Sequence, residues 1–328
     1  MVCMTSRPGV LVAQMGTPDA PTPPAVRRYL REFLGDLRVI EVNRLVWWVV
    51  LNAVVLPARS ARSARLYRRV WTPDGSPLLA NSSAQVKGLQ AALGESVAVE
   101  LGMRYGSPSL ASGLDALRAR GVDRVLVFPM FPQYSGTTTG SLYDGVFACL
   151  KRQRVLPSLR IVPPYYEHSA YIGALAHVFG KAIRGLAAPP DLTLLSFHGL
   201  PRAYADRGDV YPSHCAATAR ALAGALGLSS SQHRVCFQSR FGREEWLTPY
   251  TDALLQSLPA SGVRRVVVSC PGFVADCLET LDEIGREARQ KFIDAGGEQF
   301  SLVPCLNANR VWIDAMATIA REELAGWT

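Results

Sequence analysis

Lysine is scarce in this chain. Only Lys87, Lys151, Lys181 and Lys291 interrupt an arginine-dominated set of 35 basic residues, which outweighs 27 acidic ones and leaves a net charge of +8. The arginines are scattered and no basic face interleaved with aromatics forms, so the charge does not read as nucleic-acid binding. A basic surface of this kind favours an acidic substrate or anionic lipid headgroups. Long runs of like charge and low-complexity segments are also missing, which with a hydrophobic fraction of 48% excludes a disordered chain. The cysteines (Cys3, Cys149, Cys215, Cys236, Cys270, Cys277 and Cys305) form no C-x-x-C pair and no zinc-ligand spacing. Their odd number points to free thiols in a reducing, cytoplasmic setting. No apolar run reaches the roughly 20 residues of a membrane-spanning helix. The N-terminus enters its first strand with no apolar leader, so no secretory signal is expected. Neither G-x-G-x-x-G after the first strand nor G-x-x-x-x-G-K-[ST] anywhere is present, which removes both familiar nucleotide loops.

What the chain does have is alternation. Apolar runs of strand length fall at 9–15, 97–103, 124–130, 159–162, 192–197, 234–238, 264–270 and 300–303, with helical patterns between them such as 24–34, 110–118, 170–184, 213–226, 248–258, 277–295 and 312–324. Val- and Leu-rich runs without polar alternation indicate parallel strands covered on both faces, and their succession gives doubly wound α/β units. A seam near Pro157 and Pro163-Pro164 predicts two domains, 8–160 and 161–328, with four strands each and a cleft between them.

Chemistry concentrates at strand ends. Leu194-Leu195-Ser196-Phe197 runs straight into His198, and Gly199 and Pro201 then turn the chain. Ligands of open α/β sheets sit outside the carboxyl ends of the strands, so this imidazole is offered to a ligand; an imidazole titrates in the range that suits proton abstraction at neutral pH. A second strand end, Cys270-Pro271-Gly272-Phe273, leads to Asp276, Glu279, Glu283 and Glu287, spaced 3, 4 and 4. That spacing predicts four carboxylates on one helical face, either a solvated stripe or hard oxygen ligands for a divalent metal, with Cys277 a soft neighbour or a packed side chain. A hydroxyl-rich loop, Tyr134 to Ser141, follows the strand ending Phe128-Pro129-Met130 and suits a helix cap or pocket lining. Arg59, Arg62, Arg65 and Arg68 recur every three residues, as either a solvated helix face or a binding surface for ligand carboxylates. The stretch from Leu45 to Pro57 is mostly apolar, carries Trp47 and Trp48 and is flanked by Arg44 and Arg59. It reads as a buried helix first and an interfacial lip second.

In this order and spacing, Gln14-Met15-Gly16-Thr17-Pro18, Gly75-Ser76-Pro77-Leu78, Met103-Arg104-Tyr105, Phe128 to Ser135, Ser196 to Pro201, Arg207 to Tyr211, Phe237 to Gly242 and Pro271 to Leu281 closely resemble the ferrochelatase family, whose members insert ferrous iron into a porphyrin. The resemblance implies two Rossmann-like, chelatase-type domains, each a four-stranded parallel sheet flanked by helices, with the porphyrin cleft between them. It implies His198 and Glu279 as catalytic residues; porphyrin-binding positions at Met15, Arg59, Tyr67, Ser76, Phe131, Tyr134, Trp246 and Phe273; and metal handling by His198, Glu279, Asp276 and Glu283, with Glu287 further along the same helix. The Trp47-Trp48 segment matches the family's active-site lip, which raises the weight of the interfacial reading and implies peripheral contact with the inner membrane surface. Gln14 stands where Asn is usual. Cys277 stands where many members have a second His, which argues against a His-plus-Glu route for metal delivery.

The implied activity is insertion of Fe2+ into protoporphyrin IX by the Gram-negative type of enzyme, with iron as a substrate and no resident cofactor. No C-terminal cysteine set is seen, so no iron–sulfur cluster is expected. Coproporphyrin as substrate, cobalt or nickel as metal, and a tetrapyrrole or metal carrier without turnover stay open at this level.

Overall fold

The computed structural model describes residues 7–242 and 244–328; Cys3 and the leader reading of the first residues lie outside them. Two parallel sheets form. The first contains β1 (Arg7–Thr17), β2 (Ala98–Gly106), β3 (Val122–Pro129) and β4 (Ser158–Ile161) in the order β2-β1-β3-β4. The second contains β5 (Leu192–His198), β6 (His233–Gln238), β7 (Arg265–Ser269) and β8 (Gln299–Leu302) in the order β6-β5-β7-β8. Every pairing is parallel, and the second sheet repeats the strand order of the first.

Each sheet is buried because its strands are apolar on both faces. In the first unit Leu11, Ala13, Val125 and Val127 pack under Leu110, Leu114 and Leu117, an apolar stripe at helical spacing, and under Leu142, Val146 and Leu150. Gly113 allows that helix to approach the sheet: a Cβ there would lie 2.6 Å from the Leu101 carbonyl oxygen. In the second unit Leu192, Leu194, Val266 and Val268 pack against Leu255, Leu258, Ile284, Ala288 and Phe292.

The chain divides into a unit running to Pro164 and a unit Tyr165–Trp312, after which Ile313–Thr328 returns to the first. A single cut in the linear sequence does not describe this. The helix Arg310–Leu324 rejoins the first unit because Arg160 donates to the carbonyls of Glu323 (2.6 Å) and Ala325 (2.9 Å) and stacks 4.2 Å from the Trp327 ring, while Arg321 donates to the Ala92 carbonyl at 2.6 Å. Among the described residues no helix is long and apolar enough to cross a membrane.

Candidate active site

In a sheet ordered β6-β5-β7-β8, the connections leaving β5 and β7 diverge, and the crevice at their carboxyl ends is where such sheets bind ligands. His198 is the last residue of β5. Its Nδ1 lies 2.6 Å from the Gly199 carbonyl oxygen. A carbonyl only accepts, so this bond assigns the ring proton to Nδ1 and leaves the Nε2 lone pair available. Phe273, in the loop after β7, sets its ring 6.3 Å from the imidazole. The turn after His198 is tight: a Cβ on Gly199 would meet the Gln238 carbonyl oxygen at 2.8 Å and the Trp246 ring at 3.0 Å. Trp246 is buried against this turn and edge-on to Phe241, with ring centroids 4.9 Å apart. Its indole N–H has no hydrogen-bond partner among the described residues.

The loop after β7 delivers the acids, and here the structure corrects the helical-face expectation. The helix is π-helical over Glu279–Ala288, an i→i+5 ladder whose widened turn often marks functional sites. Asp276 precedes it and does not share its face. The Asp276 carboxylate accepts from the Thr280 hydroxyl (2.9 Å) and the Asn307 amide (2.6 Å), while Asn307 returns a bond to the Asp276 N–H at 2.8 Å. Asp276 thus closes the loop onto Asn307, which holds φ at 46°. Glu287 is also engaged elsewhere, 2.7 Å from Arg286, which pairs with the buried Asp282 at 2.6 Å.

Glu279 and Glu283 remain. The Cys277 thiol bonds to Glu279; burial, then the Glu279 charge, push that thiol's pKa well up, so Cys277 stays protonated. Glu283 accepts the Ser239 backbone N–H at 2.6 Å and the Ser239 hydroxyl at 2.5 Å. Burial nevertheless pushes its pKa up to about 7, with the Glu279 and Glu287 charges adding to the rise and the Ser239 bonds opposing it. At neutral pH Glu283 therefore both takes and gives protons. Among the described residues no three His, Cys, Asp or Glu side chains are gathered as a ready metal-binding group. Sequence reasoning missed Ser239 as the holder of Glu283 and Asn307 as the partner of Asp276; Ser239 lay inside a quoted motif, but its positive φ of 68° left no compositional mark.

The first unit presents its own diverging strand ends, β1 and β3. Gly16 (φ 120°) brings β1 against Tyr105 of β2, where a Cβ would overlap the Tyr105 carbonyl. Met15 is half-buried beside it, packed against Tyr29, Val39 and Tyr105. Phe131 packs on the core below β3. In the hydroxyl-rich loop the Ser135 hydroxyl accepts from the Thr137 N–H at 3.2 Å, opening the π-turn Gly136–Gly140, and the Tyr134 hydroxyl sits near Gly140. Ser76 is buried and caps the helix Pro77–Leu93, accepting from the Leu79 N–H at 3.2 Å. Tyr67 is buried edge-on to Trp71, and Arg59, on the same helix Leu56–Val70, has its pKa lowered by partial desolvation and then by the neighbouring Arg62 charge.

Beside these strand ends Asp36 gathers a polar network that sequence reasoning did not anticipate. It accepts from Arg104 (2.6 Å), Ser141 (2.7 Å) and Tyr105 (2.8 Å). Burial raises its pKa, but these bonds, the Arg38 N–H and the Arg104 charge outweigh that and hold it below the usual carboxylate range. The segment after Asn43 is not a buried helix. It runs as a helix Arg44–Val50, a π-turn Leu51–Val55 and the helix from Leu56. Trp47 faces inward, packing with Leu34, Leu51 and Leu56, and its indole donates to the Leu34 carbonyl at 2.6 Å. Leu45, Val46, Trp48, Val49 and Val54 face outward, Trp48 at 65% exposure.

Residues 7–324 match the family model described as Ferrochelatase. The chain belongs to the ferrochelatase family. It is 50% identical over 318 residues to the ferrochelatase of Pectobacterium atrosepticum, covering 97% of both chains, and 48% identical over 319 residues to that of Vibrio parahaemolyticus, covering 97% of this chain and 99% of that one. Two solved structures share the fold: SirB from Bacillus subtilis with Fe3+ (TM-score 0.56, 15% identity, 75% of this chain and 89% of that one) and CbiX, described as the terminal enzyme of siroheme biosynthesis in denitrifying bacteria (TM-score 0.52, 14% identity, 96% and 98%). A ferrochelatase is a lyase that inserts a metal ion into a porphyrin, so a porphyrin and a metal ion are the substrates of this enzyme.

Proposed function

We propose that this ferrochelatase inserts Fe2+ into protoporphyrin IX, with His198 as the base and Glu279 as the essential carboxylate. The observation that carries the assignment of the base is the His198–Gly199 bond, which fixes the ring and leaves Nε2 to accept a proton. Free-base porphyrin is flat and holds two pyrrole N–H groups in its plane. Metal insertion breaks both N–H bonds, releases two protons and forms bonds from all four nitrogens to the metal. A rigid site that holds a bent ring spends binding energy on the transition state. His198 Nε2 takes pyrrole protons, Glu279 meets iron or protons, and Glu283, with its pKa near 7, relays protons onward. Asp276 supports the loop.

Porphyrin contact is assigned in the second unit to Phe273, whose ring lies 6.3 Å from the His198 imidazole, and to Trp246, buried against the turn after His198, and in the first to Met15, Tyr67, Ser76, Phe131, Tyr134 and Arg59. Protoporphyrin is preferred to coproporphyrin because it carries two propionates instead of four and the segment leading to Arg59 is outwardly apolar. That same apolar segment, with Arg44 beside it, makes peripheral contact with a membrane surface. Iron is a substrate, and no resident cofactor takes part.

The test is loss of free-base fluorescence with Fe2+, using protoporphyrin and coproporphyrin side by side. General-base catalysis is worth about 10²–10⁴-fold, so His198→Ala loses at least that range in kcat while an equilibrium titration shows that porphyrin still binds; Glu279→Gln loses most turnover with the fold intact. Near-normal turnover by His198→Ala, or faster turnover of coproporphyrin, overturns the corresponding assignment.

A further inference from the structure

We propose that Gln238 is a positioning residue for metal insertion: its buried side-chain amide ties the strand end carrying His198 to the first turn of the helix carrying Glu279. The inference rests on reading those two residues as the reacting pair. Gln238 ends β6 and lies in register with His198. Its backbone carbonyl accepts the Gly199 N–H at 2.7 Å, and the Gly199 carbonyl in turn takes the His198 Nδ1 proton. The side chain is 3% exposed. Its Oε1 accepts from the Ser196 hydroxyl on β5 at 2.8 Å and from the Cys270 thiol after β7 at 3.5 Å. Its Nε2 donates to the backbone carbonyl of Glu279 at 3.1 Å.

One residue therefore touches β5, the end of β7 and the π-helix. The amide orientation is fixed by chemistry, because the Glu279 carbonyl can only accept and so must face the NH2 end. Ser196 is held in turn by Thr251, hydroxyl to hydroxyl at 2.8 Å. A buried hydrogen-bond network of this kind rigidifies its members. The surrounding strands are Leu194, Leu195, Phe197 and Val266 to Val268, all buried, so packing alone calls for an apolar side chain at this position. An apolar side chain would take the amide donor from the Glu279 carbonyl and leave the Ser196 hydroxyl with Thr251 alone. The amide instead sets where Glu279 stands relative to the imidazole.

Gln238→Met keeps the volume and removes all three side-chain bonds. Small misplacements of reacting groups cost up to about 10²-fold, so kcat falls roughly ten- to a hundredfold, with the porphyrin KM within about twofold, the signature of an interaction realised in the transition state. The decisive readout is a double-variant cycle with Glu279→Asp. Because Gln238 acts through Glu279, the double variant is no slower than Glu279→Asp alone by more than about twofold. Losses that multiply identify an independent structural role and overturn the inference, as does wild-type kcat in Gln238→Met. If Gln238→Met does not fold, Ser196→Ala removes the hydroxyl that anchors the amide Oε1, and the same non-multiplying pattern is expected. Wild-type turnover in Glu279→Gln sinks the reading of Glu279 itself; a crippled Glu279→Gln beside a fully active Gln238→Met sinks only the positioning role.

Discussion

Ser239 gives both of its donors, the backbone N–H at 2.6 Å and the hydroxyl at 2.5 Å, to the single carboxylate of Glu283, and does so from a left-handed backbone with φ at 68°. A non-glycine residue in that region is strained by about 1 kcal/mol or more. The two bonds offset the strain and fix the Glu283 carboxylate. Ser239→Ala loses the hydroxyl bond and keeps the strain, whereas Ser239→Gly loses the bond and relaxes the backbone. The Gly variant is therefore expected to be more stable than the Ala variant by about 1 kcal/mol in urea unfolding. Equal stability of the two would remove the strain argument.

Glu283 also makes stability depend on pH. Its folded pKa is about 7 against an ordinary 4.5, so the native state holds this proton more tightly than the unfolded chain does. The resulting stabilisation is complete below pH 4.5 and is lost as pH rises through 7. With about 1.4 kcal/mol per pKa unit, the loss is on the order of 3 kcal/mol. Glu283→Gln abolishes this slope, so the variant gains on the parent steadily between pH 4.5 and 8. Parallel urea midpoints across that range contradict the buried, proton-sharing carboxylate.

Strand positions were legible because burial on both faces writes uninterrupted Val and Leu runs, and His198 was legible because a polar ring at the end of such a run has few reasons to be there. The helix after β7 was not. Acids spaced 3, 4 and 4 give the same pattern whether the chain is α-helical, π-helical or, at Asp276, not yet helical. What separated Asp276 from Glu279 is a bond to Asn307, 31 residues further on, and such a partner leaves no trace in local spacing. The return of Ile313–Thr328 to the first unit was hidden for the same reason: it depends on Arg160 and Arg321 reaching distant carbonyls. The paired tryptophans looked alike in sequence, and it is the packing of Trp47 on Leu34, Leu51 and Leu56 and its bond to the Leu34 carbonyl that tell inward from outward.

Asp276 illustrates how structural and catalytic acids separate experimentally. Its carboxylate is buried and accepts from Thr280 and Asn307. Asp276→Ala removes both bonds, at about 1.5–3 kcal/mol for each bond to a charged acceptor, and lowers Tm substantially. The KM for Fe2+ of the folded enzyme stays within about twofold, because uniform binding of the metal is untouched. A large rise in that KM with Tm unchanged would return Asp276 to the metal path.

The two tryptophans of the segment after Asn43 predict opposite phenotypes. Trp47 packs with Leu34, Leu51 and Leu56 and donates to the Leu34 carbonyl, so Trp47→Ser removes apolar contacts and leaves that carbonyl short of a donor. The cost is about 2–4 kcal/mol of stability. Trp48 stands 65% exposed among Leu45, Val46, Val49 and Val54, and truncating it changes stability by no more than about 0.5 kcal/mol. Its role is read at a membrane surface, where exposed aromatics settle at the headgroup level and nearby arginines favour anionic lipid. Trp48→Ser is therefore expected to weaken sedimentation with anionic vesicles several-fold at unchanged Tm, and the remaining binding to fall as salt is raised. If Trp48→Ser co-sediments like the parent, the outward apolar face is not a membrane contact, and porphyrin KM measured on the same variant decides whether it serves the substrate alone.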